Sequence, residues 1–504
     1  MKKKLYASLC ALTLLVLSFA LLALFGCSKS PKALPAPENI AVDKRILTWD
    51  SVEHATGYLV YINDEKYETA ECQLDLHELT LAGGTFNIDV IASGDQNSYL
   101  DSLGMRFTVT LDAPPESGTD ELGFAYTYCE DVVGYEVSAG TADLTGTVVI
   151  PDYFCDYPVK RLAKYALNPY YLPYLESHLS DLSYNYLNNK AANTETTAVV
   201  LPDHLEKIGD QAFVKLLNLT EIVIPDSVTD IGRQAFYNCG NLTRAVLPKN
   251  LTVIPGSCFE SCPLYEITLP ESLVEIGGTA FSFQSGYVKY KDSLPSSVTI
   301  PASVQIIGNQ AFAGQRNLAT ITFEDSTNLK SVGKWAFENT AWYNAQPDSG
   351  IIYLDTILYQ CKNLLLEEET LYISEPITVV AADAFGAIGG TKQRNVKRLV
   401  ITAPLKEIST NAFFNCQSLC EVILPPGLEK IGLRAFYNGK TYTHVYFSGT
   451  RAEYEKLVET YKHPAIPSAK PFPEEVVYYY SETEPSEPGN YWHYVDGEAT
   501  PWFE

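Results

Sequence analysis

Residues 147–449 repeat one pattern, in which a short run of alternating apolar and polar residues precedes the phrase Ile-Gly-x-x-Ala-Phe. In "EIVIP" (221–225), the two isoleucines point to one side of an extended strand, whereas Glu and Val point to the other. The final proline ends the strand because it has no N–H to donate. In the phrase itself, we expect Ile, Ala and Phe to face the core, Gly to permit a tight turn, and the residues around Ala-Phe to form one to two helical turns.

The pattern recurs with a fixed frame. Nine copies of the phrase end at Phe213, Phe236, Phe259, Phe281, Phe312, Phe337, Phe385, Phe413 and Phe436. In eight of them the Phe lies 11 positions after the last residue of the preceding extended segment, and in the copy ending at Phe337 it lies 13 positions after. A degenerate first copy begins at Thr147–Pro151. Such a period predicts a solenoid of stacked coils, because one repeat cannot bury its apolar face alone.

The phrase "IGxxAF" resembles the repeat of BspA-like bacterial leucine-rich repeat proteins, from about Thr147 to Gly449, and we assign residues 123–449 to this domain. The resemblance implies a mainly β fold with short helices, in which parallel strands form a right-handed solenoid. Residues 450–504, which include "VYYYSETEPSEPGNYWHY", look like the closing segment of such proteins and are expected to cap the last coil. The family implies surface adhesion and binding of host proteins.

Residues 36–112 show a different pattern, with short alternating strands separated by turns, which predicts a β-sandwich. The segments "LTWDSV" with Trp49, "GYLVYIN" and "GTFNIDVIASGD" resemble a fibronectin type III domain. Phe86 departs from that family, which usually has a hydrogen-bonding Tyr there. We expect this domain to be a spacer, with a carbohydrate or protein site as the alternative, and residues 113–122 to be a linker.

The first 26 residues have the basic start and long apolar run of a signal peptide. Their end forms, with the next residue, the sequence "LFGC" (24–27), which looks like a bacterial lipobox, so Cys27 is the predicted lipidation site. Residues 27–35 then form a tether. The alternative is an uncleaved membrane anchor, because the apolar run is long enough to span a bilayer. Both interpretations place the rest of the chain outside the cytoplasm, at the extracellular face of the membrane.

Charge and cysteine content narrow the possible partners. The net charge is −25, and removal of Lys2, Lys3 and Lys4 with the leader makes it −28. This argues against nucleic acid and against direct binding to anionic lipid, so we expect membrane attachment only through the N-terminal lipid. Of 11 cysteines, nine lie outside Cys10 and Cys27, too few for a disulfide scaffold in 504 residues. We expect no metal and no cofactor.

Two regions are candidate binding sites for an extracellular protein or a glycan. The first is the outward face of the stacked strands, because an extended face is the usual binding surface of a solenoid. Its candidate residues are Glu221, Arg244, Glu266, Tyr372, Arg398, Glu421 and Tyr446. The alternative is that the charged residues only pair with neighbours on adjacent strands. The second region is an aromatic insertion that contains Tyr170, Tyr171, Tyr174, Tyr184 and Tyr186.

The chain shows no catalytic motif. Its seven histidines are scattered, and HExxH, GxSxG and Walker sequences are missing. We therefore predict that the protein is not an enzyme but a lipid-anchored adhesin or receptor that binds host or neighbouring-cell proteins. One alternative is a carbohydrate-binding surface module. Another is an extracellular hydrolase, because folding can bring two carboxylates together without any local motif.

Overall fold

A computed structural model describes residues 31–43, 45–77, 79, 81, 83–168, 192–283, 294–362, 369–386, 396–437, 442–459, 461 and 470–503. The chain divides into two units. The first unit contains Met1–Glu116, Tyr128–Val133 and Cys155–Pro158, and the second contains the remainder. In the described residues, no helix combines the length and the apolar character needed to cross a membrane.

The first unit is built from antiparallel strands. Its strands are β1 (Lys32–Ala33), β2 (Ala41–Asp43), β3 (Ile46–Thr48), β4 (Gly57–Ile62), β5 (Glu65–Thr69), β6 (Gln73–Asp75), β7 (Gly84–Ser93), β8 (Tyr99–Leu100) and β9 (Met105–Leu111). One sheet has the order β2-β3-β6 and the other β5-β4-β7-β9, while β1 pairs with β8 in parallel. The alternation of β4, with every second residue buried, explains how one strand face supplies the core.

The core of this unit lies between the two sheets. Leu47 and Trp49 come from the β3 region, and Tyr58, Val60 and Ile88 come from the other sheet; all five are buried. Trp49 packs edge-to-face on Tyr58, with ring centroids 5.3 Å apart. The predicted β-sandwich is confirmed. The fibronectin type III resemblance stays a prediction.

Within the ranges that the structure describes, the second unit contains most of the strands and two short helices. Its first strands are β10 (Ser117–Thr119), β11 (Ala125–Cys129), β12 (Gly134–Ser138), β13 (Gly146–Val149), β14 (Tyr153–Phe154), β15 (Tyr157–Leu162), β16 (Thr196–Val200), β17 (Lys207–Ile208), β18 (Glu221–Val223), β19 (Asp230–Ile231), β20 (Arg244–Val246), β21 (Val253–Ile254), β22 (Glu275–Ile276), β23 (Ser297–Ile300), β24 (Ile306–Ile307), β25 (Thr320–Phe323) and β26 (Ser331–Val332). The later strands are β27 (Gly350–Leu354), β28 (Ile357–Lys362), β29 (Thr370–Ile373), β30 (Val379–Val380), β31 (Arg398–Ile401), β32 (Glu407–Ile408), β33 (Glu421–Leu424), β34 (Lys430–Ile431), β35 (His444–Phe447), β36 (Val477–Tyr480), β37 (Tyr491–Val495) and β38 (Glu498–Pro501). The helices are α1 (Ala341–Asn344) and α2 (Arg451–Glu459), and a 3₁₀ turn covers Glu474–Val476.

Most coils of the second unit contribute to two sets of parallel strands. We call one set the front ladder; it consists of β13, β16, β18, β20, β23, β25, β29, β31, β33 and β35. The other set, the rear ladder, holds the two-residue strands that end at the Ile of each phrase, such as β17 with β19 and β22 with β24. Glu221 lies opposite Arg244, one full coil later. The predicted solenoid with parallel strands is confirmed.

The phenylalanines of the phrase form two continuous stacks inside the solenoid. The ring centroids of Phe213, Phe236 and Phe259 are spaced by 4.6 and 5.0 Å, with nearly parallel planes. The stack continues to Phe337, and a second stack runs from Phe385 to Phe436. All of these rings are buried. The inward role predicted for the phrase is therefore confirmed.

The prediction of helical turns around Ala-Phe is wrong, because in the described coils these residues form turns bonded to the next coil. The N–H of Phe236 donates to the carbonyl of Cys258 at 2.9 Å, and the N–H of Gln234 donates to that of Gly256 at 3.1 Å. The N–H of the next residue, Tyr237, stays within its own turn and donates to the carbonyl of Gln234, whereas Asn238 again donates to the next coil, at Glu260. An α-helix needs every N–H for its own i−4 carbonyl, whereas stacking here uses every second one.

The glycine of the phrase is needed for close stacking rather than for a left-handed turn. A Cβ at Gly232 would lie 2.3 Å from the backbone nitrogen of Asp210 in the preceding coil. The left-handed residue is Gln234, with φ 57°. The same division recurs in another coil: a Cβ at Gly432 would lie 2.3 Å from the backbone nitrogen of Thr410, and the left-handed residue of that phrase is Arg434, with φ 56°. Gly therefore sets the spacing between coils.

The C-terminal segment closes the last coil. Helix α2 buries Tyr454 and Leu457 in the core that also contains Phe436. Strand β36 pairs in parallel with β35, β37 pairs with β36, and β38 returns antiparallel to β37. This segment therefore covers apolar surface that a further coil would otherwise bury.

Candidate binding surface on the front ladder

The early strands of the front ladder expose their outward side chains. Val149, Val200 and Val223 are each at least half exposed, and Thr299 and Thr322 are exposed as well. Thr268, at the equivalent position of the coil that forms no front-ladder strand, is also exposed. The neighbouring positions, such as Ile222 and Ile224, are buried in the solenoid core. The alternation that builds the core therefore also produces a row of β-branched side chains in solvent.

The later strands of the same ladder are covered by the protein's own C-terminal hairpin. Val400, Ile423 and Tyr446 occupy the outward column but cluster with Trp492, which is 0 % exposed. The rings of Tyr446 and Trp492 are 5.3 Å apart, and the indole N–H donates to the carbonyl of Phe447 at 3.0 Å. Burial raises the pKa of the Tyr446 hydroxyl to about 12. Tyr446, 3 % exposed, does not face a ligand, and the expectation that it does is wrong.

Arg398 and Glu421 are also engaged within the chain. The Arg398 guanidinium lies 2.6 Å from the Glu421 carboxylate and 2.5 Å from that of Glu498 on β38. Both members of the first pair are largely shielded from solvent. The charges thus fasten the hairpin to the front ladder, which is the neighbour-pairing alternative considered from the sequence.

The remaining front-ladder candidates differ in their surroundings. Arg244 forms an ion pair with Glu221 on the adjacent strand. Glu266 is exposed and, among the described residues, belongs to no ion pair. Tyr372 on β29 is 57 % exposed. The structure thus places Arg244 and Glu266 together on one part of the face, with Tyr372 on the first strand of a separate sheet.

The front ladder opens between β20 and the next coil. The expected strand at "EITLP" does not form, since residues 266–270 have no strand pairing. One rung is made, from the N–H of Tyr265 to the carbonyl of Thr243 at 2.9 Å, and the two segments then separate. A cavity of about 560 Å³ lies between them. Its walls are Arg244, Ala245, Val246, Leu247 and Lys249 on one side and Glu266, Thr268, Leu269, Pro270 and Glu271 on the other.

Sequence reasoning missed this opening because "EITLP" fits the repeat as well as its neighbours do. The only local signal is the step of 31 residues from Phe281 to Phe312, against 22 or 23 for the preceding steps. At the opening, Ala245 and Leu247 are half-buried, although the matching Ile222 and Ile224 are fully buried. We call this feature the ladder cleft, defined by the ten lining residues given above.

The paired cysteines of the repeat belong to the core. Cys239, Cys258 and Cys262 are buried, and burial raises the pKa of the Cys258 and Cys262 thiols well above the usual value. The Sγ of Cys239 donates to the carbonyl of Phe213 at 3.0 Å. Across the ranges that the structure covers, no group of three or more His, Cys, Asp or Glu side chains is arranged to hold a metal ion. These thiols therefore fill space next to the Phe stack.

Two predicted sites lie outside the described residues. One is the lipidation site Cys27. The other is the aromatic insertion with Tyr170, Tyr171, Tyr174, Tyr184 and Tyr186.

Parallel strands in register, one per coil, together with a buried residue column and a closed last coil, define a leucine-rich-repeat solenoid. The chain belongs to the family of the BspA type leucine rich repeat region. The model of that family, with six copies of the repeat, matches residues 185–290, 285–392 and 391–456, more than half of the chain.

Several solved structures are similar to this chain. A leucine rich cell surface protein from Faecalibacterium prausnitzii shares 19% identity with a TM-score of 0.32, over 68% of this chain and 98% of its own. A leucine-rich repeat protein from Bacteroides ovatus shares 19% with a TM-score of 0.29, over 66% and 84%. Pneumococcal vaccine antigen PcpA shares 14% with a TM-score of 0.26, over 73% and 94%. A search of curated proteins finds no match to the chain. The family assignment rests on the matched repeats.

Proposed function

We propose that this protein is a lipid-anchored cell-surface binding protein, adhesin-like or receptor-like, whose front ladder binds an extracellular protein of a host or of a neighbouring cell. The observation that supports this proposal is the uncovered stretch of the front ladder, in which Val149, Val200 and Val223 are exposed in one row. A row of exposed apolar side chains on a soluble repeat protein is typical of a protein-binding surface.

The part of the front ladder that the C-terminal hairpin covers also supports a binding role for the exposed part. The C-terminal hairpin buries Val400 and Ile423, whose positions match Val223 in the earlier coils. The chain thus shields apolar residues where its own hairpin reaches and leaves them open elsewhere. The open part is the part that a partner can cover.

A hydrolytic role has less support. Glu407 is a buried carboxylate whose pKa is raised by burial, the kind of group that can serve as an acid. It lies 3.1 Å from the Lys430 ammonium and accepts a hydrogen bond from Ser409. With 4 % exposure, it connects coils and faces no substrate. We assign no catalytic residue.

A glycan is the second candidate ligand, because single aromatic rings stand in solvent. Tyr265, Tyr372 and Tyr437 are each more than half exposed. Exposed tyrosines provide flat apolar contact with little loss of side-chain entropy. This observation favours glycan binding less than protein binding, because the front-ladder row is longer and continuous over several coils.

The test uses residues 28–504 on arrays of extracellular-matrix proteins and of glycans. Val200→Lys combined with Val223→Lys should lower the affinity for a protein partner at least tenfold, since two apolar contacts become charged. The matched control is Val253→Lys, which changes an exposed valine on the rear ladder. Equal loss in the control, or binding to glycans alone, would contradict a protein-binding front ladder.

The anchor has its own test. Cys27→Ser should abolish incorporation of labelled fatty acid, and the variant should leave the membrane fraction when its leader is replaced by one that is cleaved without lipidation. Retention of the label in the variant would disprove lipidation at Cys27. Retention in the membrane without label in the unmodified chain would favour the uncleaved anchor.

A further inference from the structure

We propose that the ladder cleft binds an extended peptide strand that carries a basic side chain. This inference rests on the proposed function, since both place a ligand on the front ladder, and it names the form of that ligand. It does not need the exposed valine row. It starts from backbone groups that the stacked coils leave without strand partners.

Strand β20 forms one wall of the ladder cleft. In a parallel ladder, the N–H and C=O of alternate residues point to opposite neighbours. The N–H of Arg244 donates to Thr220, and the carbonyl of Val246 accepts from Ile224, so these residues serve β18. The backbone N–H and C=O of Ala245 therefore point towards the cleft. This wall has the properties of an exposed strand edge, which readily pairs with another chain.

The opposite wall of the cleft is formed by the segment from Glu266 to Glu271. The hydrogen bond from the N–H of Tyr265 to the carbonyl of Thr243 repeats the bond from Thr243 to Thr220 in the preceding coil, after which Arg244 and Val246 face β18. By the same register, the N–H groups of Glu266 and Thr268 point back towards β20. Neither residue forms a strand pair in the described structure. Two edges with complementary groups therefore face each other across the cavity, and a strand inserted between them can bond to both.

The cleft is large enough to hold a short strand. A strand occupies roughly 160 Å³ per residue, from about 4.8 Å between strands, ~10 Å between layers and ~3.3 Å of rise. A cavity of about 560 Å³ therefore has room for three to four residues. The half-buried side chains of Ala245 and Leu247 provide apolar contacts on its inner side.

The charged side chains of the cleft favour a basic peptide. The two cations of the cleft are already paired, Arg244 with Glu221 and Lys249 with Asp226 at 2.8 Å. Glu266 and Glu271 line the other wall, are exposed, and form no ion pair among the described residues. The unbalanced charge at the cleft is therefore negative, and it favours a lysine or arginine on the peptide.

The experiment selects linear peptides from a displayed library of random dodecapeptides on residues 28–504. The best peptide is then synthesised, and its affinity is measured by fluorescence polarisation. We expect enriched peptides with alternating apolar residues and at least one Lys or Arg. N-methylation of a central backbone nitrogen removes one donor and should weaken binding by about fivefold per site. Unchanged affinity after N-methylation, or no enrichment at all, overturns the proposal.

The backbone wall is tested with two variants of one residue. Ala245→Pro removes the N–H that faces the cleft and should weaken the peptide at least fivefold, because proline is tolerated at a strand edge but cannot donate. Ala245→Val keeps that N–H and adds a side chain like those of Ile222 and Val298 at matching positions, so it should bind normally. Equal affinity of both variants overturns the proposal. If Ala245→Pro unfolds, the N-methylated peptides decide the same point.

The charged wall is tested with Glu266→Lys combined with Glu271→Lys. Binding of the basic peptide should fall about tenfold at low salt, and the difference should shrink at 0.5 M NaCl, because exposed charges are screened. Glu121→Lys is the control, since it changes an exposed carboxylate away from the cleft. Peptide binding that survives the double change at low salt counts against the proposal. So does concentration-dependent dimerisation that Ala245→Pro abolishes, because it assigns the cleft to a second copy.

This design separates the two proposals. A matrix protein that still binds the Ala245→Pro variant but not the Val200 and Val223 double variant leaves the proposed function intact and overturns the cleft proposal. Peptide binding without any protein partner on the array leaves the cleft proposal intact and overturns the proposed function.

Discussion

Replacing Phe236 with alanine tests the role of the repeated phrase. The ring is fully buried and stacks between Phe213 at 4.6 Å and Phe259 at 5.0 Å. Truncating a buried Phe costs about 3–5 kcal/mol through lost transfer energy and a residual cavity. Each stacked contact adds about 0.5–1.5 kcal/mol beyond burial, and Phe236 makes two. We therefore expect a loss near the upper end, about 5 kcal/mol.

The measurement combines urea unfolding, followed by circular dichroism, with hydrogen–deuterium exchange. In a solenoid each coil contacts mainly its neighbours, so the loss of protection should concentrate in the coils of Phe213, Phe236 and Phe259. Val223→Ala, at an exposed position of the same coil, is the control and should change stability by less than about 0.5 kcal/mol. An unchanged unfolding midpoint for Phe236→Ala, or exchange that rises only in distant coils, would refute the reasoning.

Three further predictions concern stability. Burial lowers the pKa of Lys215 to about 8, so the unfolded state binds more protons than the folded state between pH 8 and 10.5. Lys215→Met should therefore be more stable than the unmodified protein below pH 8. Unfolding curves at several pH values should show this advantage shrink by about 3 kcal/mol as the pH rises to 10.5. Gly232→Ala places a Cβ 2.3 Å from the Asp210 nitrogen and should lower the free energy of unfolding by about 2 kcal/mol or more. Gly256→Ala, whose Cβ would lie 3.4 Å from its nearest neighbour, should lower it far less. Similar melting temperatures for the two variants would contradict the close-stacking role. Trp492→Ala should cost about 3–5 kcal/mol and increase binding of a hydrophobic dye, because it uncovers Val400, Ile423 and Tyr446; dye binding equal to that of the unmodified protein would show that the hairpin does not depend on this ring.

Local pattern predicted the architecture well because every coil repeats the same physical requirement. A strand that alternates Ile222 and Ile224 with exposed neighbours must bury one face, and the Phe 11 positions later must join it. These are short-range constraints, repeated nine times. The pairing of Glu221 with Arg244 also followed, since a fixed period places equivalent residues side by side.

The same pattern misled where two conformations share one apolar spacing. Ala235, Phe236 and Cys239 at helical spacing suit a helix and also suit a turn that points the same side chains inward. The choice depends on the carbonyl of Cys258 in the next coil, which accepts the N–H of Phe236. Glycine at Gly232 was likewise assigned to the wrong cause, because the approach of Asp210 is a contact between coils.

The candidate site shows the same limit more strongly. The sequence places Glu266, Arg398 and Tyr446 in equivalent outward columns, yet one lines an open cleft, one holds the C-terminal hairpin, and one lies under it. Repeats make these positions indistinguishable locally. Their difference arises from how far the hairpin reaches and where one rung is missing.

The amino-acid sequence by itself therefore determined the class of fold, the inward residues of each coil and the pairing of neighbouring charges, because each depends on interactions within one period. Tertiary structure alone decided which part of the front ladder is open. The first reason is that the C-terminal hairpin contacts strands far earlier in the chain, as in the Arg398–Glu498 pair, whose members are 100 residues apart, and in the packing of Trp492 on Val400. The second is that the ladder cleft arises where strand hydrogen bonds are missing between otherwise equivalent coils.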